Sequence, residues 1–315
     1  MRLRIVFMGT PLFASYMLAR ISETDHEVLG VVTVADKPAG RGQKVKESEV
    51  KKLALSHQIP LWQPLSLKDE RFLNDMKSLE ADVFVVVAFR MLPEKVWSIP
   101  SRGTINLHAS LLPQFRGAAP INWAIIEGES ESGLTTFFIN EHIDEGPILL
   151  QCSIPVSETT TAGALHDAML PLGASLLIET LEGIANQTLN EIPQDNSAGQ
   201  PFKPAPKLNK TNTRLNFNRT TDEIDRMVRG LSPYPGAYFE GFDIKRQQGF
   251  IVKVYSGEPV HYIENDEPIR VVSNRMLVRC QDGYFAITEL QVEGKKRMTT
   301  QAFLAGNSVL DWQIR

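Results

Sequence analysis

The sequence is poor in cysteine, with two in 315 residues. Cys152 and Cys280 lie far apart and neither has the C-x-x-C spacing of a zinc or redox site, so both are expected to act as small packing residues. No apolar run reaches the roughly 18 residues of a membrane span. The N-terminus opens Met-Arg-Leu-Arg and enters a strand without an apolar leader or small-residue cleavage site, which predicts a cytoplasmic protein that inserts in no membrane. The turn after the first strand, Gly9-Thr10-Pro11, has one glycine where G-x-G-x-x-G would need three, and this argues against a nicotinamide or flavin cofactor. No G-x-x-x-x-G-K-[ST] occurs, so a Walker-type phosphate loop is excluded. G-x-S-x-G is also missing, which removes Ser110 as an elbow-type nucleophile. Histidines and cysteines in metal-ligand spacing are lacking too, and no metal is expected.

What is present fits an ordinary globular chain of two domains, with 43% hydrophobic and 22% charged residues. The net charge of -4 conceals an asymmetry: residues 201–315 carry 17 Lys+Arg against 13 Asp+Glu, and residues 1–200 carry 16 against 24. The basic second part is a mild pointer to an anionic partner, although surface charge also varies without purpose.

Along the first part, apolar runs at 3–8, 27–34, 82–88, 105–108, 133–140 and 148–154 read as strands, with helices between them at about 50–57, 68–79 and 119–127. The run Asp-Val-Phe-Val-Val-Val-Ala at 82–88 has the pattern of a central strand buried on both faces of a parallel sheet. It leads into Phe89-Arg90-Met91-Leu92, a turn at a strand's carboxyl end, where a ligand crevice forms in open α/β sheets; Met91 and Leu92 suit either a pocket lining or the core. Between 36 and 52 a glycine-containing loop holds Lys37, Arg41, Lys44, Lys46, Lys51 and Lys52 against three acidic residues, a basic arm able to reach phosphates. A long helix with apolar positions at 165, 169, 172, 176 and 177 closes the first domain. A polar, proline-containing linker follows, then a helix at 220–230 with Thr221 as its expected cap. Short alternating strands at 250–255, 269–272, 276–280 and 284–291 suggest a small β-barrel. The division expected is 1–189 for the first domain, 190–210 for the linker and 211–315 for the second domain.

Residues 105–121 gather the most chemistry. Asn106 and His108 are two apart near a strand end, so both side chains leave the same face. Ser110, Pro113 and Gly117 then bend the chain. Asp144-Glu145-Gly146 lies at the exit of the next strand, where the carboxyl-end loops of neighbouring strands could bring Asp144 to His108. An amide donor, an imidazole and a carboxylate, with no nucleophile beside them, suit attack by a substrate amine on an activated carbonyl. Each alone has an ordinary counterpart: a turn asparagine, a core histidine, a turn aspartate.

The pattern Asn106-x-His108-x-Ser110-Leu111-Leu112-Pro113-x-x-Arg116-Gly117, followed by Asp144-x-Gly146, resembles the signature of the folate-dependent formyltransferases. Within that superfamily the resemblance is to the branch that formylates methionyl-tRNA. It extends over nearly the whole chain through Val6 to Pro11, Pro38 to Gly42, Ser232 to Ala237 and Gln291 to Met298. The resemblance implies an α/β chain, with a Rossmann-like, mostly parallel sheet in the N-terminal domain and an OB-like β-barrel in the C-terminal domain. It implies 10-formyltetrahydrofolate as formyl donor and initiator methionyl-tRNA as acceptor, in a monomer. Asn106, His108 and Asp144 fall on the family's catalytic positions, and Ser110, Leu111, Leu112 and Pro113 on its folate-binding turn, with Phe89, Arg90, Met91 and Leu92 beside it. Arg41, with Lys37, Lys44 and Lys46, matches the inserted loop that meets the tRNA acceptor stem, and Lys207 and Lys210 match the basic linker. Leu215-Asn216-Phe217 stands where the family usually has Ile-Asp-Trp. The rival reading is a formyltransferase acting on a nucleotide-sugar amine, against which the 38–42 insertion and the barrel argue.

Overall fold

The computed structural model describes residues 1–39, 44–194, 202–261 and 267–314, with backbone alone at 37–39 and 44–46. Strands and helices alternate first: β1 (Arg4–Gly9), α1 (Leu12–Ser22), β2 (Glu27–Val32), β3 (Lys37–Ala39), β4 (Lys44–Lys46), α2 (Glu49–Ser56), β5 (Leu61–Trp62), α3 (Glu70–Ser78), β6 (Val83–Val87) and α4 (Glu94–Trp97). Then come β7 (Thr104–His108), α5 (Pro120–Ile126), β8 (Glu131–Phe138), β9 (Ile148–Pro155) and α6 (Ala162–Asn186). The remainder is α7 (Thr221–Gly230), β10 (Ala237–Asp243), β11 (Gln248–Val260), β12 (Ile269–Val272), β13 (Arg275–Arg279), β14 (Tyr284–Val292), β15 (Met298–Thr299), α8 (Thr300–Leu304) and β16 (Trp312–Ile314).

The chain forms two compact units that are discontinuous in sequence. One comprises 1–120, 132–154 and 168–204, the other 121–131, 155–167 and 205–315. The first is built on a seven-stranded sheet in the order β5-β2-β1-β6-β7-β8-β9. Its pairs from β5 to β7 are parallel, and β7 pairs with β8 antiparallel. All five residues of β6 are buried. Removing each such Val or Phe side chain from water is worth roughly 1.5–3 kcal/mol, well above the spread of intrinsic strand propensity, so burial decides this element. Val6, Met8, Phe84 and Val86 pack with Phe72, Leu73 and Met76 of α3 and Val96 of α4. The opposite face meets α6, where a side chain on Gly173 would press on Met17, Leu107 and Leu134. Helices on both faces of a mostly parallel sheet give the Rossmann-like arrangement.

The second unit is a curled antiparallel sheet of the OB-like type, ordered β12-β13-β14-β11-β10-β16 with β15 on β14. The 13-residue β11 carries register shifts between Val254 and Gly257, where it bends, and a side chain at Gly257 would meet the Phe285 ring at 2.3 Å. Val252, Val254, Phe239, Phe285, Ile287 and Leu290 form its core with Ile224 and Val228 of α7. Cys280 belongs to this core, and burial pushes its thiol up to about 12, whereas Cys152 is half-buried on β9.

Several expectations change. The basic arm includes a two-stranded hairpin, β3 with β4, pairing Lys37 with Lys46 and Ala39 with Lys44; Arg41 lies outside the described residues. Lys51 is not a free cation, since it pairs with Asp36 and Glu47. Thr220 caps α7, not Thr221: its hydroxyl accepts from Glu223 N while the Glu223 carboxylate accepts from Thr220 N at 3.0 Å, a closed capping box. The 25-residue α6 continues through Pro171 and is long and apolar enough to cross a membrane by length and composition, but 56% of its most apolar window is buried inside the protein. β10 was not anticipated, because the glycine inside Ala-Tyr-Phe-Glu-Gly-Phe-Asp interrupts an otherwise alternating strand pattern.

Candidate active site

Register aligns Met8 with Val86, Val86 with Asn106 and Asn106 with Phe137. Asn106 therefore leaves the sheet on the α3–α4 face, and His108, two residues on, leaves it on the same side at the carboxyl end of β7. Ile105 and Leu107 fill the opposite face and are buried.

His108 is buried, and its Nε2 lies 2.9 Å from Phe115 O. A carbonyl only accepts, so Nε2 carries the proton and Nδ1 is left as the basic nitrogen. That Nδ1 lies 3.8 Å from Asp144 Oδ2, so the carboxylate stands beside it and beyond hydrogen-bond length. The same carboxylate oxygen accepts from Gly117 N at 2.9 Å. The Asn106 amide makes no hydrogen bond among the described residues, which leaves it as a donor on the same sheet face as His108.

Asp144 arrives by a different route from the one expected. β8 runs antiparallel to β7, so its exit lies beside the start of β7, with Ile139 N donating to Thr104 O at 2.8 Å. The 139–147 segment has to turn back toward His108. It does so with Asp144 in the left-handed region at φ 55, a conformation costing on the order of 1–3 kcal/mol that Asp tolerates better than most residues. Gly146 completes the turn, since a Cβ there would lie 1.7 Å from Phe138 O. The glycine of Asp-x-Gly is therefore a packing requirement.

Ser110 to Pro113 forms a tightly held turn. Thr135 Oγ1 donates to Ser110 O (2.7 Å) and accepts from Leu112 N (3.1 Å), and Gln151 Nε2 donates to Leu112 O (2.9 Å). The Leu112-Pro113 peptide is cis. The Ser110 hydroxyl donates to Gln114 O at 2.6 Å and is fully buried, so it is a turn residue. Leu92 packs into the core, whereas Met91 is 72% exposed. Arg90 donates to Pro64 O and Leu65 O and lies over the Phe89 ring at 5.5 Å, and burial pushes its guanidinium pKa down. Lys207 and Lys210 are exposed and belong to the second unit.

Sequence reasoning missed Gln194, Thr135 and Gln151, and the roles of Phe115 O and Gly117 N. Gln194 sits in what reads as polar linker, and backbone groups leave no mark in composition.

A free amide donor, a histidine with its basic nitrogen beside a carboxylate, and a fixed turn at the mouth of a parallel sheet are groups chemically able to serve acyl-group transfer without a covalent enzyme intermediate. The chain belongs to the formyl transferase family, whose model matches residues 1–181 while the model of the family's C-terminal domain matches residues 207–308. It is 44% identical over 308 residues to a methionyl-tRNA formyltransferase of Bacteroides fragilis, covering 96% of this chain and 95% of that one. Among solved structures it is similar to HypX from Aquifex aeolicus in complex with tetrahydrofolic acid, with 17% identity, 96% of this chain and 47% of that chain covered, and a TM-score of 0.64. It is also similar to WlaRD, a sugar 3N-formyl transferase, with 20% identity, 94% and 100% covered, and a TM-score of 0.62. At such identities the two structures speak for the fold alone.

Proposed function

We propose that this protein transfers the formyl group of 10-formyltetrahydrofolate to the α-amino group of initiator methionyl-tRNA in the cytoplasm, for translation initiation. The observation that carries the reading is the triad at the mouth of the sheet, Asn106, His108 and Asp144, in a chain whose methionyl-tRNA formyltransferase relatives match it end to end. The donor supplies an activated formyl carbonyl. A free α-amine has a pKa of roughly 7.7–8.0, so a usable fraction is neutral near pH 7. As that amine adds to the formyl carbon, Asn106 donates to the carbonyl oxygen that gains charge. His108 Nδ1 faces the proton the amine loses, and Asp144 stabilises the imidazolium that results. The C–N bond to the folate then breaks, and N10 of the departing tetrahydrofolate takes up a proton, so charge and atoms balance. Ser110 to Pro113, with Phe89 to Leu92, would hold the folate. Lys37, Arg41, Lys44 and Lys46 would reach the acceptor stem, and Lys207 and Lys210 the tRNA backbone.

The nucleotide-sugar reading draws on a likeness of 20% identity, against 44% for a methionyl-tRNA formyltransferase. The test is to supply labelled 10-formyltetrahydrofolate with charged initiator tRNA, charged elongator tRNA or amino sugars in parallel. Label should enter initiator methionyl-tRNA, and Asn106→Ala, His108→Ala and Asp144→Ala should each lower turnover by more than about tenfold while remaining folded. Label in an amino sugar, or formate released without an acceptor, would overturn the assignment.

A further inference from the structure

Asp144 reaches His108 on a loop that turns back against the direction of its own strand, and one side chain from a distant stretch of sequence holds that loop. Gln194 Nε2 donates to Asp144 O at 2.9 Å and to Gly146 O at 2.8 Å, bracketing the catalytic carboxylate's residue and the glycine of the turn. Its Oε1 accepts from Arg116 Nε at 3.1 Å and Nη2 at 2.7 Å. The amide has one sensible orientation, because the flipped form would set its oxygen against two carbonyls and its NH2 against a guanidinium. Arg116 also pairs with Glu145 at 3.0 Å, and the adjoining Gly117 N donates to Asp144 Oδ2. Ile192, two residues before Gln194, exchanges backbone bonds with Ile148 at 2.8 and 2.9 Å, so the stretch that delivers Gln194 is itself fixed to β9. The loop carrying Asp144 and the turn carrying Phe115 to Gly117 are thus joined directly by Gly117 N and the Arg116–Glu145 pair, and the Gln194 amide, held by the same guanidinium, ties down the loop backbone on either side of Glu145.

We infer that Gln194 is a positioning residue: oriented by Arg116, it holds Asp144 within reach of His108 Nδ1, and it touches no substrate. This inference rests on the catalytic reading of Asp144. Losing the Gln194 amide frees two carbonyls of a turn that already holds a non-glycine residue at positive φ, and Asp144 then samples positions in which its carboxylate no longer faces the imidazole. The signature is a fall in kcat with little change in KM, because the groups that bind donor and acceptor stay in place.

The test is a double-mutant cycle on the full chain, with Gln194→Met, Asp144→Ala and the pair assayed with 10-formyltetrahydrofolate and initiator methionyl-tRNA. Gln194→Met is expected to lower kcat about tenfold with both KM values within about twofold, and to lower it less than about twofold further when Asp144 is already alanine. If Gln194→Met does not fold, Gln194→Glu, which keeps the shape and the contact with Arg116 but replaces the NH2 that donates to the two carbonyls with an oxygen, enters the cycle in its place. A loss of the same size in both backgrounds, or a Gln194→Met enzyme with normal kcat, overturns the positioning role. An Asp144→Ala enzyme with near-normal turnover overturns the catalytic reading itself, and the positioning role with it. Restoration of most of the lost kcat by Gln194→His, which can still donate toward the carbonyls, supports the role, since a packing defect would not be rescued by a donor alone.

Discussion

His108 owes its tautomer to a backbone atom seven residues away. Phe115 O fixes the proton on Nε2 and so turns the basic Nδ1 toward Asp144. Phe115 can present that carbonyl because it sits at φ 59, and its own N–H is bound by Lys203 O at 2.7 Å. A second histidine uses the same tautomer for stability. His26 Nδ1 accepts from Leu3 N at 3.3 Å, with Nε2 3.4 Å from Glu182 Oε1. Burial is the larger influence and pushes its pKa below 6.5, with Glu182 pulling the other way. The folded state therefore binds this proton less readily than the unfolded chain. The stabilisation is complete above about 6.5 and is lost as pH falls through the lower, folded-state value. Thermal melting between about pH 7.5 and about pH 5 should show a falling midpoint, and His26→Gln, which keeps an acceptor without the titration, should flatten that fall. An equal slope in the variant would refute the role of His26.

At the scale of the element, ends and connections matter more than interiors. The capping box on α7 satisfies two N–H groups with two side chains, and the Thr220 N–H holds the Glu223 carboxyl below the usual carboxylate range. Because α7 places Ile224 and Val228 in the second unit's core, its first turn anchors that core. Thr220→Ala should cost about 1 kcal/mol in urea unfolding, whereas Thr220→Ser should cost less than half of that. A result in which both substitutions are neutral would mean that packing alone holds the helix. The same contrast explains β8: its apolar and β-branched run marks it as a strand, but its antiparallel direction relative to β7 does not follow from residue type. Direction in turn determines that Asp144 needs a returning loop, a positive φ at Asp144 and a glycine two residues later.

For the whole molecule, the basic excess after residue 200 and the exposed Lys207 and Lys210 suit a polyanion held largely through phosphates. Transfer to tRNA should fall steeply as salt rises, and replacing both lysines by alanine should lower the log–log salt slope by roughly one for each phosphate contact removed. A salt-independent rate would exclude these lysines as the footprint. Much of this organisation was legible in the chain itself. Buried strands declare themselves by apolar runs such as 83–87, because a strand covered on both faces has no polar side to show. Asn106 and His108 share a face because alternation along an extended strand is local geometry, and the barrel strands β11 to β14 announce themselves in the same way. What only the tertiary structure decided was which distant groups meet: the tautomer set by Phe115 O, the return of Asp144 to His108, and the grip of Gln194 on that loop. The physical reason is that periodicity records which residues are buried, while hydrogen bonds to backbone atoms far along the chain depend on strand direction and loop path, which leave no trace in residue type.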